Sequence, residues 1–206
     1  VNGERQKPGE VIAPGSISTV PILEQSFKLP PEGSRTTTQR LQLASWLTHP
    51  DHPLTARVIV NRLWLHTMGE GLVRTPNNFG FKGDPPTHPK LLDFLASRLI
   101  DNGWKLKPII KLIVMSNTYR QASTHESYLE YQDKDFLNLT WWRAQRKRLD
   151  AEQLRDAILV TSGEINLKSG GPSFYPAMSV EALEGLSKKS SAWGNSSLAE
   201  RNRRSI

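Results

Sequence analysis

Eight polar residues stand where a ligand could be held: Arg57, Asn61, His66, Asn77, Asn78, His88, Tyr119 and Arg120. The first three lie on one helical run, TARVIVNRLWLHTM. Asn77 and Asn78 sit in the Gly/Pro/Asn-rich stretch that follows, His88 opens the next helix, and Tyr119-Arg120-Gln121 ends a later one. With about 100° per residue, Arg57 and Asn61 fall on the flank of a mostly apolar helix, beside Ala56, Leu63, Trp64 and Met68. Arg62 and His66 share the opposite side. A largely buried helix must give such groups partners, because an unpaired buried polar group costs about 1 to 3 kcal/mol. Carbonyls of the 69–86 stretch are the natural acceptors, so these residues either fix that loop or line a ligand site at its mouth.

Other chemistries find less support. The histidines, His49, His52, His66, His88 and His125, form no HExxH or other ligand spacing, although His66 and His88 flank the same loop. Glu70, Asp84 and Asp93 could act as an acid and base on a glycan if two faced each other across a cleft, an arrangement with no one-dimensional mark. There is no GxSxG elbow, and GEGLVRTPNNFG lacks the lysine of a phosphate loop. With no Cys in 206 residues, disulfides, thiolate metal sites and thioether-linked haem are excluded within this chain. No metal site is assigned, and no cofactor is expected in this segment.

The formal net charge of +7 suits anionic partners in general. Trp141-Trp142-Arg143-Ala144-Gln145-Arg146-Lys147-Arg148 combines rings with cations as nucleic-acid platforms do. The better reading has the rings packing and the cations pairing with Asp150, Glu152 and Asp156, which disfavours a nucleic-acid partner. No apolar run approaches the roughly 20 residues of a transmembrane helix, and no signal pattern opens the chain. Both ends look cut from a longer protein.

The elements that must position these residues read as follows. Residues 1–35 carry frequent Pro and Gly, with β-prone pieces at Val11-Ile12 and Ser18 to Leu23, and form an extended arm or the end of a preceding domain. Leu43, Trp46 and Leu47 mark a helix ending near Leu47, where His49-Pro50-Asp51-His52-Pro53 stops it. After the central helix, Leu72, Val73, Phe79 and Phe81 anchor an ordered loop, and Gly69, Gly71, Gly80 and Gly83 permit positive φ. Thr87 and Pro89 start a helix whose Leu92, Leu95, Ala96 and Leu99 share a face, with Asn102-Gly103 at its end. Pro108 opens a third core helix, apolar all round and therefore central. Residues 122–140 are loop with one helical turn. Asp150 with Gln153 starts a helix whose face is Ala151, Leu154, Ile158 and Thr161, and Lys168 to Pro172 is a turn.

The expected fold is thus mainly α: an irregular helical domain of about five helices, with an extended N-terminal arm and a long ordered Gly/Pro/Asn-rich loop. The expected divisions are 1–35, a helical core at 36–165, and an irregular C-terminal extension at 166–206.

The runs LTARVIVNRLWLHTMGEGLVRTPNNFGFKGDPPTHPKLLDFLA, LIVMSNTYRQAS, RKRLDAEQLRDAIL and GGP resemble a C-terminal domain of unknown function from large planctomycete secreted proteins. The resemblance covers Arg40 to Pro172, with Arg204-Ser205-Ile206 resembling the start of a further block. There the domain accompanies a planctomycete-type cytochrome c segment and another uncharacterised secreted domain. This implies an extracytoplasmic location, other domains of the same polypeptide as partners, haem held elsewhere, and a polysaccharide or redox context. It implies no catalytic residues. Leu65 and Thr67 replace the more polar or aromatic residues that often flank His66, which argues against a fixed ligand set there. Two functions are expected: a non-catalytic binding or scaffolding module, or part of an extracytoplasmic hydrolase or redox-linked enzyme acting on polysaccharide.

Overall fold

The computed structural model describes residues 9, 13–29, 33, 37–185 and 194–205. They contain nine helices and no β-strand, and two compact units, Val1–Arg146 and Lys147–Ile206. The boundary expected at residue 165 and this division fall on either side of one helix, α7 (Ala151–Ser162).

In the first unit, the expected helices are α1 (Thr37–Leu47), α2 (Thr55–Met68), α3 (Pro89–Asp101) and α4 (Leu106–Val114), followed by the short α5 (Asn117–Arg120) and α6 (Tyr128–Lys134). Helix α2 is the axis of the core. Ala56, Val60, Asn61, Trp64 and Met68 are buried, and Arg62 and His66 form its exposed strip. Its last turn closes when Gly69 donates to Leu65 O at 2.8 Å, in the left-handed conformation (φ 98°) that favours glycine. Against it pack Leu92, Leu95, Ala96 and Leu99 of α3, and Ile109 and Ile113 of α4. Full burial of side chains such as Val60, Leu95, Leu99 and Ile113 contributes about 1.5 to 3 kcal/mol each.

Several boundaries differ from expectation. Helix α3 is preceded by His88 at the N-cap, with no side-chain cap. Thr87 instead turns to the loop, donating from N and Oγ1 to Leu72 O at 2.8 and 3.3 Å. Helix α4 begins at Leu106 and is not central. Ile109 and Ile113 are buried, whereas Leu112 and Met115 on its other side are exposed.

The Val11-Ile12 piece lies outside the described residues. Ser18 to Leu23, a β-prone piece of the expected extended arm, forms a turn and a 3-10 helix, Pro21–Leu23. The arm doubles back: Ser16 N donates to Gln25 O, and Phe27 N to Pro14 O, both at 2.9 Å. It is fastened to α1, where Trp46 Nε1 donates to Leu23 O and the Gln42 amide bonds both backbone groups of Lys28.

The second unit contains α7, α8 (Val180–Glu184) and α9 (Leu198–Arg201). Asp150 caps α7 as expected, accepting Gln153 N at 2.7 Å, but the helix face carrying Leu154 and Ile158 is exposed. Among the described residues no buried apolar side chain belongs to this unit. Its described parts are joined by polar bonds: Asn166 N donates to Asn202 O at 2.8 Å, and Asp156 accepts Ser205 N and Oγ.

Candidate functional site

The loop between α2 and α3 is ordered by its own backbone and by one buried amide. Asn61, with no exposed surface, accepts Val73 N at 2.8 Å and donates to Val73 O at 3.0 Å. Leu72 and Val73 are buried beside it. Farther out, Thr75 Oγ1 donates to Asn78 O and accepts Asp84 N, both at 2.9 Å, while Asn78 Oδ1 accepts Gly80 N at 3.0 Å. Of the four loop glycines, Gly69 takes a positive φ, whereas Gly71 and Gly83 are required by space. A Cβ would lie 2.4 Å from Val73 O at Gly71 and 2.0 Å from Asn78 O at Gly83.

This ordered loop and the start of α3 enclose a cleft of about 360 Å³, lined by Phe79, Phe81, Pro85, Pro86, Pro89 and the carboxylates Asp84 and Asp93. Phe81 is fully exposed and anchors nothing, contrary to expectation, while Phe79 packs partly on the core. At the cleft's side Arg57 Nε donates to Asp93 Oδ1 at 2.7 Å, and Arg57 Nη1 to Pro53 O at 2.6 Å. Arg57 therefore ties α2 to α3 rather than holding the loop. A second cavity of about 210 Å³ shares Arg57 and Asp93 and includes His52. The His52 ring is buried, and Nδ1 accepts from Thr55 N at 3.2 Å, with Thr55 Oγ1 3.0 Å away. Burial, aided by nearby His49, pushes the His52 imidazole below its ordinary range.

The remaining candidate residues disperse. Asn77 Oδ1 accepts from Arg62 at 2.9 Å, so an exposed-strip residue supplies a loop contact that was expected of Arg57. His88 Nδ1 lies 3.1 Å from Thr87 Oγ1. His66, Tyr119 and Arg120 are exposed, and Gln121 donates to Trp141 O at 2.8 Å. Glu70, 3.8 Å from Arg74, lines a different crevice from Asp84 and Asp93. The basic, Trp-rich stretch packs, as expected of its rings: Trp141 meets Trp64 edge-on at 5.4 Å. Two of its cations have other partners. Arg143 stacks over Tyr128 and Trp142 at 5.7 and 5.1 Å, and Arg146 donates to Ser123 Oγ. Asp156 pairs with Arg155 at 3.3 Å.

Cleft residues Phe81, Asp84, Pro85 and Asp93 were not among the eight candidates. Their sequence mark was the Gly/Pro density around exposed-prone polar residues, which signals a turn but not which way its rings face.

A family model described as "PSD1: Protein of unknown function (DUF1553)" matches residues 39–206. The chain belongs to that family. The match takes in all nine helices but the first two residues of α1. No curated protein and no solved structure matches the chain. Among the described residues no group of three His, Asp or Glu side chains could hold a metal ion, and no helix is long and apolar enough to cross a membrane.

Proposed function

We propose that this PSD1-family chain is a non-catalytic binding and scaffolding module of a larger secreted protein, working beside a cytochrome c-like domain, with the cleft between the loop and α3 as its binding face. The observation that carries this reading is the commitment of Asn61 to both backbone groups of Val73. The most buried polar residue of the motif serves the loop, and the loop in turn carries a fully exposed ring, Phe81, at the cleft. Ordering a loop of this length costs about 1 to 2 kcal/mol per residue, and a ring that buries nothing gains nothing in return.

Polysaccharide is the ligand class favoured by the resemblance. The cleft suits it chemically, since ring and proline faces can stack on sugar C–H surfaces while Asp84 and Asp93 accept hydroxyls. The second reading, part of an extracytoplasmic hydrolase, draws on the presence of those two carboxylates in one cleft. Asp93 is tied to Arg57 and so suits only the ionised role of such a pair, and Asp84 would have to give the proton. Haem, in this reading, belongs to another domain of the parent.

The test is a glycan screen and a turnover assay on the full-length parent beside a version lacking this domain. Loss of glycan binding with turnover of small soluble substrates retained is the expected outcome. Unchanged binding with lost turnover would overturn the module.

A further inference from the structure

The second unit contains a cavity of about 540 Å³ that the loop and its cleft do not involve. Small-molecule sites typically occupy roughly 300 to 1,000 Å³ and combine apolar walls with a few placed polar groups. Here the apolar wall is Phe174 with Pro172 and Pro176, and the polar wall is Arg155, Arg203 and Arg204.

Two of these arginines are held in place before any ligand arrives. Arg155 Nη1 donates to Asp156 Oδ1, to Arg203 O and to Ser205 Oγ, its Nη2 donates to Arg201 O, and its guanidinium lies 5.2 Å from the centre of the Phe174 ring. Arg203 is 9% exposed and donates to Pro172 O, Gly170 O and Glu200. Its Nε–H, buried as well, has no acceptor among the described residues. A buried donor left alone is costly, and water or a bound group can meet it.

The charges divide unevenly. Asp156 faces Arg155 and also feels the charge of Arg204, and Glu200 faces Arg203; Arg204 is exposed and no hydrogen-bond acceptor meets it among the described residues. Glu152 is the one acid among the residues lining the cavity. An inorganic anion alone would leave Phe174 and the prolines wet, and a neutral apolar molecule would leave the Arg204 guanidinium without a bonded acceptor.

We infer that this cavity binds an organic anion, a carboxylate or phosphate group carried on a flat apolar body. Arg204 makes the direct contact with the anionic group, Arg203 supplies a fixed donor behind it, and the body lies along Phe174 and the prolines. Arg203, fixed by its own bonds, loses little freedom on binding, so Arg204 is the one guanidinium that the anion must order.

The whole chain is titrated by calorimetry with benzoate, phenyl phosphate, inorganic phosphate and benzyl alcohol. At least one aromatic anion is expected to bind saturably and about tenfold or more tighter than benzyl alcohol, the loss expected from removing one charge-assisted contact. Which of the two binds tighter tells carboxylate from phosphate. Arg203→Gln would free two loop carbonyls and disturb the fold, so the deciding variant is Arg204→Gln, at an exposed side chain. It should melt as the wild type does and lose the preference for anion over alcohol. Phe174→Leu should weaken the aromatic anions and leave inorganic phosphate unchanged. Absence of saturable binding by both aromatic anions, tighter binding of inorganic phosphate than of either, or an unchanged preference in Arg204→Gln would each overturn the assignment.

Discussion

Asn61 and Val73 are joined by a pair of hydrogen bonds of 2.8 and 3.0 Å that use both ends of one side-chain amide. Helix α2 thereby presents to the loop the same donor and acceptor pair that a neighbouring strand would present. Replacement by alanine leaves a buried N–H and a buried C=O without partners, at about 1 to 3 kcal/mol each. Asn61→Ala should therefore lower the melting temperature substantially and open residues 69–86 to protease. A variant that melts within a degree of the wild type, with an equally resistant loop, would show that Val73 is held by something else.

Gly83 tests the outer half of the loop. Its missing Cβ would stand 2.0 Å from Asn78 O, a backbone atom that cannot rotate away. Gly83→Ala should destabilise by roughly 1 to 3 kcal/mol, as overpacking does, and chemical denaturation should read this directly. Gly103→Ala is the contrast: nothing lies near its added Cβ, and the cost there comes from its positive φ alone.

Much of this arrangement was legible from local pattern, and the failures share a cause. The i, i+3, i+4 spacing on α3 named its buried face, and the flank position of Asn61 foretold a backbone partner. Arg57 sits on the same flank, yet its partner Asp93 is 36 residues away, where the crossing of α2 over α3 places it. Helical periodicity gives a residue's direction, not what another element brings to meet it. Phe81 read as an anchor because it is apolar, but the turn through Gly80 to Gly83 decides which side of the loop it occupies. Apolar character overstated burial in the same way at Leu112, Leu154 and Ile158, whose exposure depends on whether any element covers them. The Arg155 and Arg203 cavity had no local mark, its two sides being 48 residues apart.

His52 gives the first unit a dependence on pH. Its Nδ1 lone pair accepts at the start of α2, and protonation there would end that bond and place a cation at a helix N-terminus. Burial lowers the folded-state pKa from the ordinary 6.5. The unfolded chain therefore binds more protons between those two values, and stability rises with pH. The contribution is fully present above about 6.5 and is lost as pH falls through the lowered folded value, with a slope of at most about 1.4 kcal/mol per pH unit for one proton. Urea unfolding of the wild type and His52→Gln from pH 8 to pH 5 isolates the effect, since the other four histidines are common to both. Parallel pH profiles would rule it out.

Phe81 and Arg57 separate binding from scaffolding at the cleft. Phe81 is fully exposed and touches no core residue, so Phe81→Ala should change stability by less than about 0.5 kcal/mol, as surface substitutions do. Arg57 and Asp93 form a pair with about half of each side chain in water (38% and 55%), a class worth about 0 to 1 kcal/mol. Arg57→Ala should then lower the melting temperature slightly, through that pair and the lost bond to Pro53 O, without exposing the loop to protease, because no Arg57 bond reaches residues 69–86. If the cleft is the binding face of the parent protein, Phe81→Ala should weaken its polysaccharide binding about tenfold or more, the effect of truncating an aromatic anchor. Arg57→Ala should weaken it less, by loosening Asp93. Wild-type affinity in Phe81→Ala, measured on folded protein, would move the binding face away from this loop and leave residues 69–86 with a scaffolding role alone.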